Sequence, residues 1–557
     1  MAKWQTREQV SDDIETQLLA SRGIDDKDKF FSPDYEKDLR DPFGLLGMDK
    51  AVDRILSAIK KREKIAVFGD YDADGVCASA IFHDFFKKIG FENFAVHIPD
   101  RNIEGYGLNF EAIEQFEKEQ VDLIITVDCG IADYDEIRKA NENGIDTVVL
   151  DHHLQPEKIP QAIAIVDPKQ EKDDYPFEML AGAGVAFKTI QALVDKGGFA
   201  VTPGWEKWLL DLVAIATVAD MMPLEDENRV LVFYGLQVLK KTRRPGLLKL
   251  FEKTKIQQQY ITEDDIAFLI APRINIAGRM DHANASYALL TTESVSEAEW
   301  IAEHLDSLNV ERKETVAKIL DEIDKRAKDD KKKPEIIVEG DLSWPVGVLG
   351  LTANKVMEKY ECPVFLWGAA AAEKIKGSCR SNGMINLVDL MRQLPDGFLK
   401  EFGGHAAAAG FSLERDKIGD FKEEVVKLFG KIDKKETEAL LWIDKEIKLE
   451  KIDWDFLQTV EKFRPFGMGN SRPYFLFKNL EVSRVNKFGN GGIHLRLDFS
   501  TRDGLISAIG FFMSNGHWDI KSGDKIDLAA SIERNYFNGY DELRLRIIDI
   551  RNLPACR

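Results

Sequence analysis

The chain has 557 residues, 44% of them hydrophobic and 31% charged, with a formal net charge of −20. That length is too great for one ordinary core and suggests roughly three to four domains, in the composition range of soluble globular proteins. Five scattered cysteines without a CxxC pair argue against a disulfide scaffold or a zinc ribbon. With no apolar leader and no membrane-length span, a cytoplasmic protein with no membrane partner is expected.

The first fifty or so residues are polar and mixed, and Pro33 and Pro42 suggest an irregular arm. From about Lys61 the pattern becomes strand, Gly-rich turn, helix. The strand-like runs Ile65–Phe68, Leu123–Val127 and Thr147–Leu150 alternate with helical stretches at Val76–Ile89, Phe110–Glu119 and Asp133–Asn143. Such alternation predicts βαβ units and a mainly parallel sheet.

Each of those strands is followed at once by acids or imidazoles: Asp70, Asp72 and Asp74, then Asp128, then Asp151, His152 and His153. The C-terminal edge of an open α/β sheet is where such folds bind ligands. So many convergent carboxylates require a neutralising cation. An EF-hand shares the DxDxDG opening but needs Glu at its twelfth position, where this chain has Ile81, and a preceding helix rather than a strand. A solvated turn accounts for one cluster but not three. A metal site, with two metals, is expected.

Trp205–Ala219 reads as a buried helix closed by Asp220, which is either capped or ion-paired, or a further ligand. Residues 296–328 read as one amphipathic helix, with Ser296 and Glu299 as a capping box, connecting two lobes; the charged run to Lys333 is taken as its solvated end. A second α/β segment follows from about Glu335 to Lys431. From roughly Glu436 onward, short alternating strands suggest a small OB-fold-like barrel. The expected domains are 1–50 (arm), 51–290, 291–333 (connecting helix), 334–432 and 433–557.

In the order DYDADG, VDCGI, DHH, ATVADMMPL and GGHAAAAG, the chain resembles the DHH phosphoesterase superfamily with its DHHA1 partner domain. Within it, residues 99–107, the RINIAGR run at 273–279 and the C-terminal barrel with PFGMGN resemble the RecJ family of single-stranded-DNA exonucleases. The resemblance covers about residues 50 to 557. It implies that Asp70, Asp72 and Asp128 hold one metal. Asp74, His152 and Asp220 would hold the second, with Asp128 bridging.

Carboxylates with one imidazole suit Mn²⁺ or Mg²⁺. Two such ions about 3.5–4 Å apart can activate water and stabilise a leaving oxygen. His153 is implied to touch the phosphate or assist proton transfer, making His153 and Asp128 the catalytic pair.

Arg101, Arg279, Ser378 and Arg380 match positions that grip 5′-terminal phosphates, salt bridges being the alternative for each arginine. Tyr106 either stacks on a base or belongs to the core. Gly403, Gly404 and His405 either bring backbone amides to an anion at a helix start or mark tight helix packing.

The implied function is metal-dependent 5′→3′ hydrolysis of single-stranded DNA to 5′-mononucleotides, in repair and recombination. The partner would be single-stranded DNA, with a single-strand-binding protein or helicase implied by the family, and the chain itself is expected to be a monomer. Hydrolysis of short oligoribonucleotides or cyclic dinucleotides, and a non-catalytic scaffold, are the alternatives. The net charge stands against a nucleic-acid substrate, so binding must rest on local basic patches and the metals.

Overall fold

The computed structural model describes residues 3–101, 103–328, 334–370, 374–434, 440–501, 504–513, 520–537 and 540–553. The end of the charged run at 329–333 and Cys556 lie outside them. The chain forms two compact units, one of residues 40–222 with 234–437 and one of residues 1–39, 223–233 and 438–557.

The larger unit opens with a parallel sheet in the order β2-β1-β3-β4-β5, where β1 is Ile65–Gly69, β2 Phe94–His97, β3 Leu123–Val127, β4 Asp146–Leu150 and β5 Ala164–Val166. Every residue of β1 and β3 is buried, which explains why their sequences are unbroken apolar runs rather than alternating ones. Helix α1 (Ala73–Lys88) packs with α2 (Gly182–Gly197) and α3 (Leu210–Ala219). The apolar stretch expected as one helix from Trp205 divides into a 3₁₀ turn, Trp205–Leu209, and α3. Helix α4 (Ala271–Met280) follows a single π-helical turn at Ile266–Ile270.

The long helix α5 (Val295–Lys328) packs against both α4 and α6 (Val346–Tyr360). Its stripe of Ile301, Leu305, Ile319 and Ile323 is buried. The cap differs from the expected Ser296 box. The Ser294 hydroxyl accepts from the Glu297 amide at 3.3 Å, and Ser296 is already helical.

Beyond α5 a second sheet runs β9-β10-β8-β7-β6, where β6 is Ile337–Asp341, β7 Val364–Ala369, β8 Ile375–Arg380, β9 Glu401–Gly404 and β10 Ala408–Leu413. Only β6 and β7 pair in parallel; the others are antiparallel.

The smaller unit carries the expected barrel-like β domain, a seven-stranded sheet among the described residues. Its core includes Phe475, Phe477, Phe499 and Leu545 and is joined by Leu18 from the start of the chain. The arm expected over the first fifty residues is therefore not irregular where it joins this unit, up to Leu39. Lys3–Thr6 pairs in parallel with Leu440–Ile443, and Ile14–Ser21 is a helix whose Arg22 cap lies 3.2 Å from Asp444.

Cys77, Cys129, Cys362 and Cys379 are free buried thiols. No helix among the described residues is long and apolar enough to cross a membrane.

Candidate metal centre and adjoining cleft

Strands β1, β3 and β4 deliver their acids to one edge. Asp70 follows β1. Helix α1 then begins three residues earlier than expected, so Asp72 is its cap, accepting from the Asp74 amide at 2.8 Å and the Gly75 amide at 3.2 Å. Asp74 thus sits in the first helical turn. Its two oxygens receive the Gly182 and Ala183 amides, each at 2.7 Å, from the start of α2. Favourable helix-end amides hold the carboxylate in place.

Asp128, just past β3, adopts φ = 61°, an unfavourable value for a residue with a side chain, and its amide donates to the Leu150 carbonyl at 2.9 Å. A methyl group on Gly182 would fall 2.6 Å from the Asp128 Cβ, so glycine there leaves the room that Asp128 occupies. After β4 come Asp151, His152 and His153, and α3 ends in Asp220.

Three groupings have ligand atoms mutually within 4.8 Å: Asp70, Asp72 and Asp128; Asp74, His152 and Asp220; and Asp128, His152 and His153. His152 Nε2 lies 3.1 Å from Asp128 Oδ1 and 3.7 Å from both Asp74 Oδ2 and Asp220 Oδ2. Burial first, and the neighbouring carboxylates next, push Asp70, Asp74 and Asp128 well above the usual carboxylate range and Asp220 up to about 7. Burial and the charge of His153 lower His152 to about 3, leaving a neutral imidazole with a lone pair to donate.

Asp70 Oδ1 is buried with no hydrogen-bond partner. An orphaned acceptor beside crowded carboxylates and a neutral imidazole is the donor chemistry of hard divalent cations such as Mn²⁺ and Mg²⁺, and the residues fit them.

Sequence reasoning gave Asp151 no role of its own. Its carboxylate is wholly buried and is used up by hydrogen bonds from the His152 amide (2.7 Å), the His153 amide (3.2 Å), His153 Nδ1 (2.7 Å) and the Ile131 amide (2.9 Å). Burial alone would lower the His153 imidazole, but the bond to Asp151 and its charge raise it to about 9. Asn275 was also missed: its Oδ1 receives the Ala73 amide at 2.8 Å and ties α4 to the start of α1. Its signal was the RINIAGR run in which it stands.

Beside the centre lies a cleft of about 440 Å³, whose lining includes Tyr71, Arg101, Tyr106, Arg279, Ser378, Arg380 and Gly403. The Arg101 guanidinium lies 5.0 Å from the Tyr71 ring centre. Burial and then the charges of Arg101 and Arg312 lower Arg279 to about 10; burial and Arg101 also lower Arg380. The guanidiniums of Arg101 and Arg279 repel one another across the cleft, and Asp72 acts in the opposite sense on Arg279. Gly347 lets α6 approach this site, since a Cβ there would fall 2.0 Å from the Arg279 carbonyl oxygen.

Tyr106 is 47% exposed, yet its hydroxyl donates to the Asp128 carbonyl at 3.2 Å and lies 3.2 Å from His153 Nδ1. It is neither a core tyrosine nor a freely presented ring.

Gly404 and His405 are not among the residues lining the cleft. The GGHAAAAG stretch is not a helix start but the turn between β9 and β10, where the His405 amide donates to the Ala408 carbonyl at 2.8 Å and Gly404 takes φ = 134°. Pairing of β10 with β8 overrides the helical propensity of the alanines.

The profile of the DHH family, N-terminal domain, matches residues 64–217; that of the DHHA1 domain matches 333–431 and that of the RecJ OB domain 443–549. The single-stranded-DNA-specific exonuclease RecJ of Bacillus subtilis (strain 168) is 33% identical over 536 residues, covering 96% of this chain and 67% of the relative. The chain belongs to the RecJ family. The RecJ of Haemophilus influenzae is 31% identical over 531 residues, covering 92% of both chains. A crystal structure of RecJ in complex with Mn²⁺ from Thermus thermophilus superposes with a TM-score of 0.82 at 26% identity, covering 99% of this chain and 80% of that one.

Proposed function

We propose that this chain is a metal-dependent exonuclease that hydrolyses single-stranded DNA from its 5′ end, releasing 5′-mononucleotides. The observation that carries the reading is the adjacency of two ligand groupings, one of carboxylates and one of carboxylates with an imidazole, to a cleft lined by Arg101, Arg279 and Arg380.

Asp70, Asp72 and Asp128 would hold one Mn²⁺ or Mg²⁺, and Asp74, His152 and Asp220 the other, with Asp128 shared. When bound, such ions supply a water nucleophile at neutral pH and stabilise charge on the phosphodiester oxygens.

The chain's own residues do the rest. Arg101, Arg279 and Arg380, with the Ser378 hydroxyl, hold the terminal phosphate of the strand, because forked N–H donors match phosphate oxygens. That grip sets the distance from the chain end to the scissile bond, and so the size of the product. His153, kept charged by Asp151, places a cation and a proton donor against the scissile phosphate. Tyr106, anchored by its hydroxyl, offers its exposed ring face to a base. A local basic cleft of this kind reconciles a polyanionic substrate with a net charge of −20.

One unit contains both centre and cleft, so a monomer suffices. A cytoplasmic location is proposed with this reading; a single-strand-binding protein or helicase as partner rests on the family resemblance and attaches to no residue described.

The test follows 3′-labelled single-stranded DNA with Mn²⁺, comparing 5′-phosphate with 5′-hydroxyl ends, wild type with Arg380→Ala, and a blunt duplex. A ladder shortening from the 5′ end of the single strand, with the 5′-phosphate preference lost in the variant, is expected. Hydrolysis of dinucleotides alone would move the chain to the short-substrate branch of the superfamily.

A further inference from the structure

A second cavity, of about 520 Å³, lies at the opposite end of α1 from the metal centre, lined among others by Lys87, Lys88, Trp205, Trp208, Arg243 and Arg244. Its size is in the range of small-molecule sites. The inner wall is already neutralised. Arg244 Nε lies 2.9 Å from Asp211 Oδ2 and its Nη2 lies 2.6 Å from Asp84 Oδ2, while the Thr242 hydroxyl donates to Asp211 Oδ2 at 2.9 Å.

The rim is not neutralised. Among the described residues Lys87 and Arg243 make no ion pair, and the Lys88 ammonium faces the Trp205 ring at 5.9 Å. Glu293 is the one acid of the lining outside the Arg244 network. The Trp208 side chain is 49% exposed beside these cations. In a chain of net charge −20, three rim cations beside two indoles, faced by Glu293 alone outside the Arg244 network, call for a ligand that is an anion at one end and a flat aromatic at the other.

We propose that this cavity is a second binding site, for a nucleoside monophosphate, with the base against Trp208 and the phosphate among Lys87, Lys88 and Arg243. Occupancy is coupled to the metal centre by two helices. Helix α1 carries Asp74 in its first turn and Asp84, Lys87 and Lys88 in its last two, about 15–21 Å away at 1.5 Å per residue. Helix α3 carries Asp211 at its start and ends at Asp220. Arg244 clamps the two together at the cavity end through Asp84 and Asp211. A ligand on Lys88 and the residue beside Arg244 therefore bears on the same two helices that present Asp74 and Asp220. The coupling, not the binding, rests on the exonuclease reading, whose product has this ligand's chemistry.

The test is calorimetric titration of the full-length protein in Mg²⁺ with dTMP, thymidine or inorganic phosphate, using wild type, Trp208→Ala, Arg243→Glu and the cleft variant Arg380→Ala. The expected result is dTMP binding that survives Arg380→Ala, weakens at least about tenfold in Trp208→Ala and Arg243→Glu, and exceeds that of thymidine or phosphate by a similar factor. No saturable binding below about 1 mM, or binding lost only in Arg380→Ala, overturns the site. A single-stranded oligonucleotide competing for Trp208 more tightly than dTMP overturns the mononucleotide assignment. In the exonuclease assay, added dTMP is expected to change turnover of wild type but not of Trp208→Ala. Equal responses overturn the coupling, whereas absence of any turnover without dTMP bears on the exonuclease reading instead.

Discussion

Asp151 holds His153 by a 2.7 Å bond from the imidazole Nδ1 to a carboxylate oxygen that also accepts two backbone amides. The acid of the DHH sequence is thus a carrier of the histidine rather than one of the metal-type groupings. Its second oxygen is committed to the Ile131 amide.

Asp151→Asn places an amide nitrogen against either the Ile131 amide or the His153 donors, so one donor faces another. Loss of an outer partner of this kind typically costs about 10–100-fold. The expected outcome is a fall of that size in kcat with little change in KM for single-stranded DNA. The double variant with His153→Ala should lose little more than His153→Ala alone, because both changes strike one device. Additive losses in steady-state kinetics would separate the two residues.

Gly182→Ala tests the space around Asp128. The new methyl would sit 2.6 Å from the Asp128 Cβ, whereas in Gly184→Ala the nearest atom is Leu180 Cβ at 3.5 Å, an ordinary contact. Both substitutions add helix propensity to α2. Gly184→Ala should keep activity and melt no lower than wild type, while Gly182→Ala should lose activity and Mn²⁺ affinity together. Equal activity in the two variants would show that Asp128 has freedom to move.

Chelation should destabilise the protein, and Asp128→Asn should relieve part of that. Removing one of the mutually repelling buried carboxylates is expected to raise the melting temperature of EDTA-treated protein. With Mn²⁺ restored, the order should reverse, because wild type regains its ligand and the variant does not. Exonuclease activity of the variant should drop by more than the roughly 10–100-fold typical of an outer partner. Scanning calorimetry with and without metal reads the crossover.

Asp133 gives a pH dependence away from the metal ligands. Burial raises its carboxyl to about 7, against the hydrogen bond that it accepts from the Leu108 amide at 2.7 Å. The unfolded carboxyl ionises near 3.8, so between that value and about 7 the folded state holds the extra proton. Stability from this group therefore falls as pH rises through that window and is flat above it. Asp133→Asn keeps an acceptor for Leu108 and removes the titration. Relative to wild type it should be of similar stability near pH 4 and more stable at pH 8, by roughly 1–3 kcal/mol. A constant difference across melts at several pH values would contradict this origin.

Much of the centre could be read from the chain because its strands are buried on both faces. Continuous apolar runs that end in acids fit little besides doubly buried strands opening on a ligand site. The positions of Asp70, Asp128 and His152 follow from where β1, β3 and β4 end. What escaped depended on distant partners. The alanines at 406–409 look helical until β8 pairs with β10, and the first forty residues look irregular until Leu440–Ile443 supplies the other half of a strand pair. Asp151 was visible as a letter of a motif, but its work depends on the amide of Ile131, twenty residues away and across a strand.

The pairing of Lys3–Thr6 with Leu440–Ile443 also sets a timetable for synthesis. At about 5–20 residues per second, the ribosome needs roughly 20–90 s between making this strand and making its partner. Through that interval Leu18 has no core to enter, while the parallel sheet of residues 65–166 has all its strands early. The nascent chain therefore carries an unpaired strand edge, and Leu18 outside its core, until residues 440–443 and the sheet around them have been made.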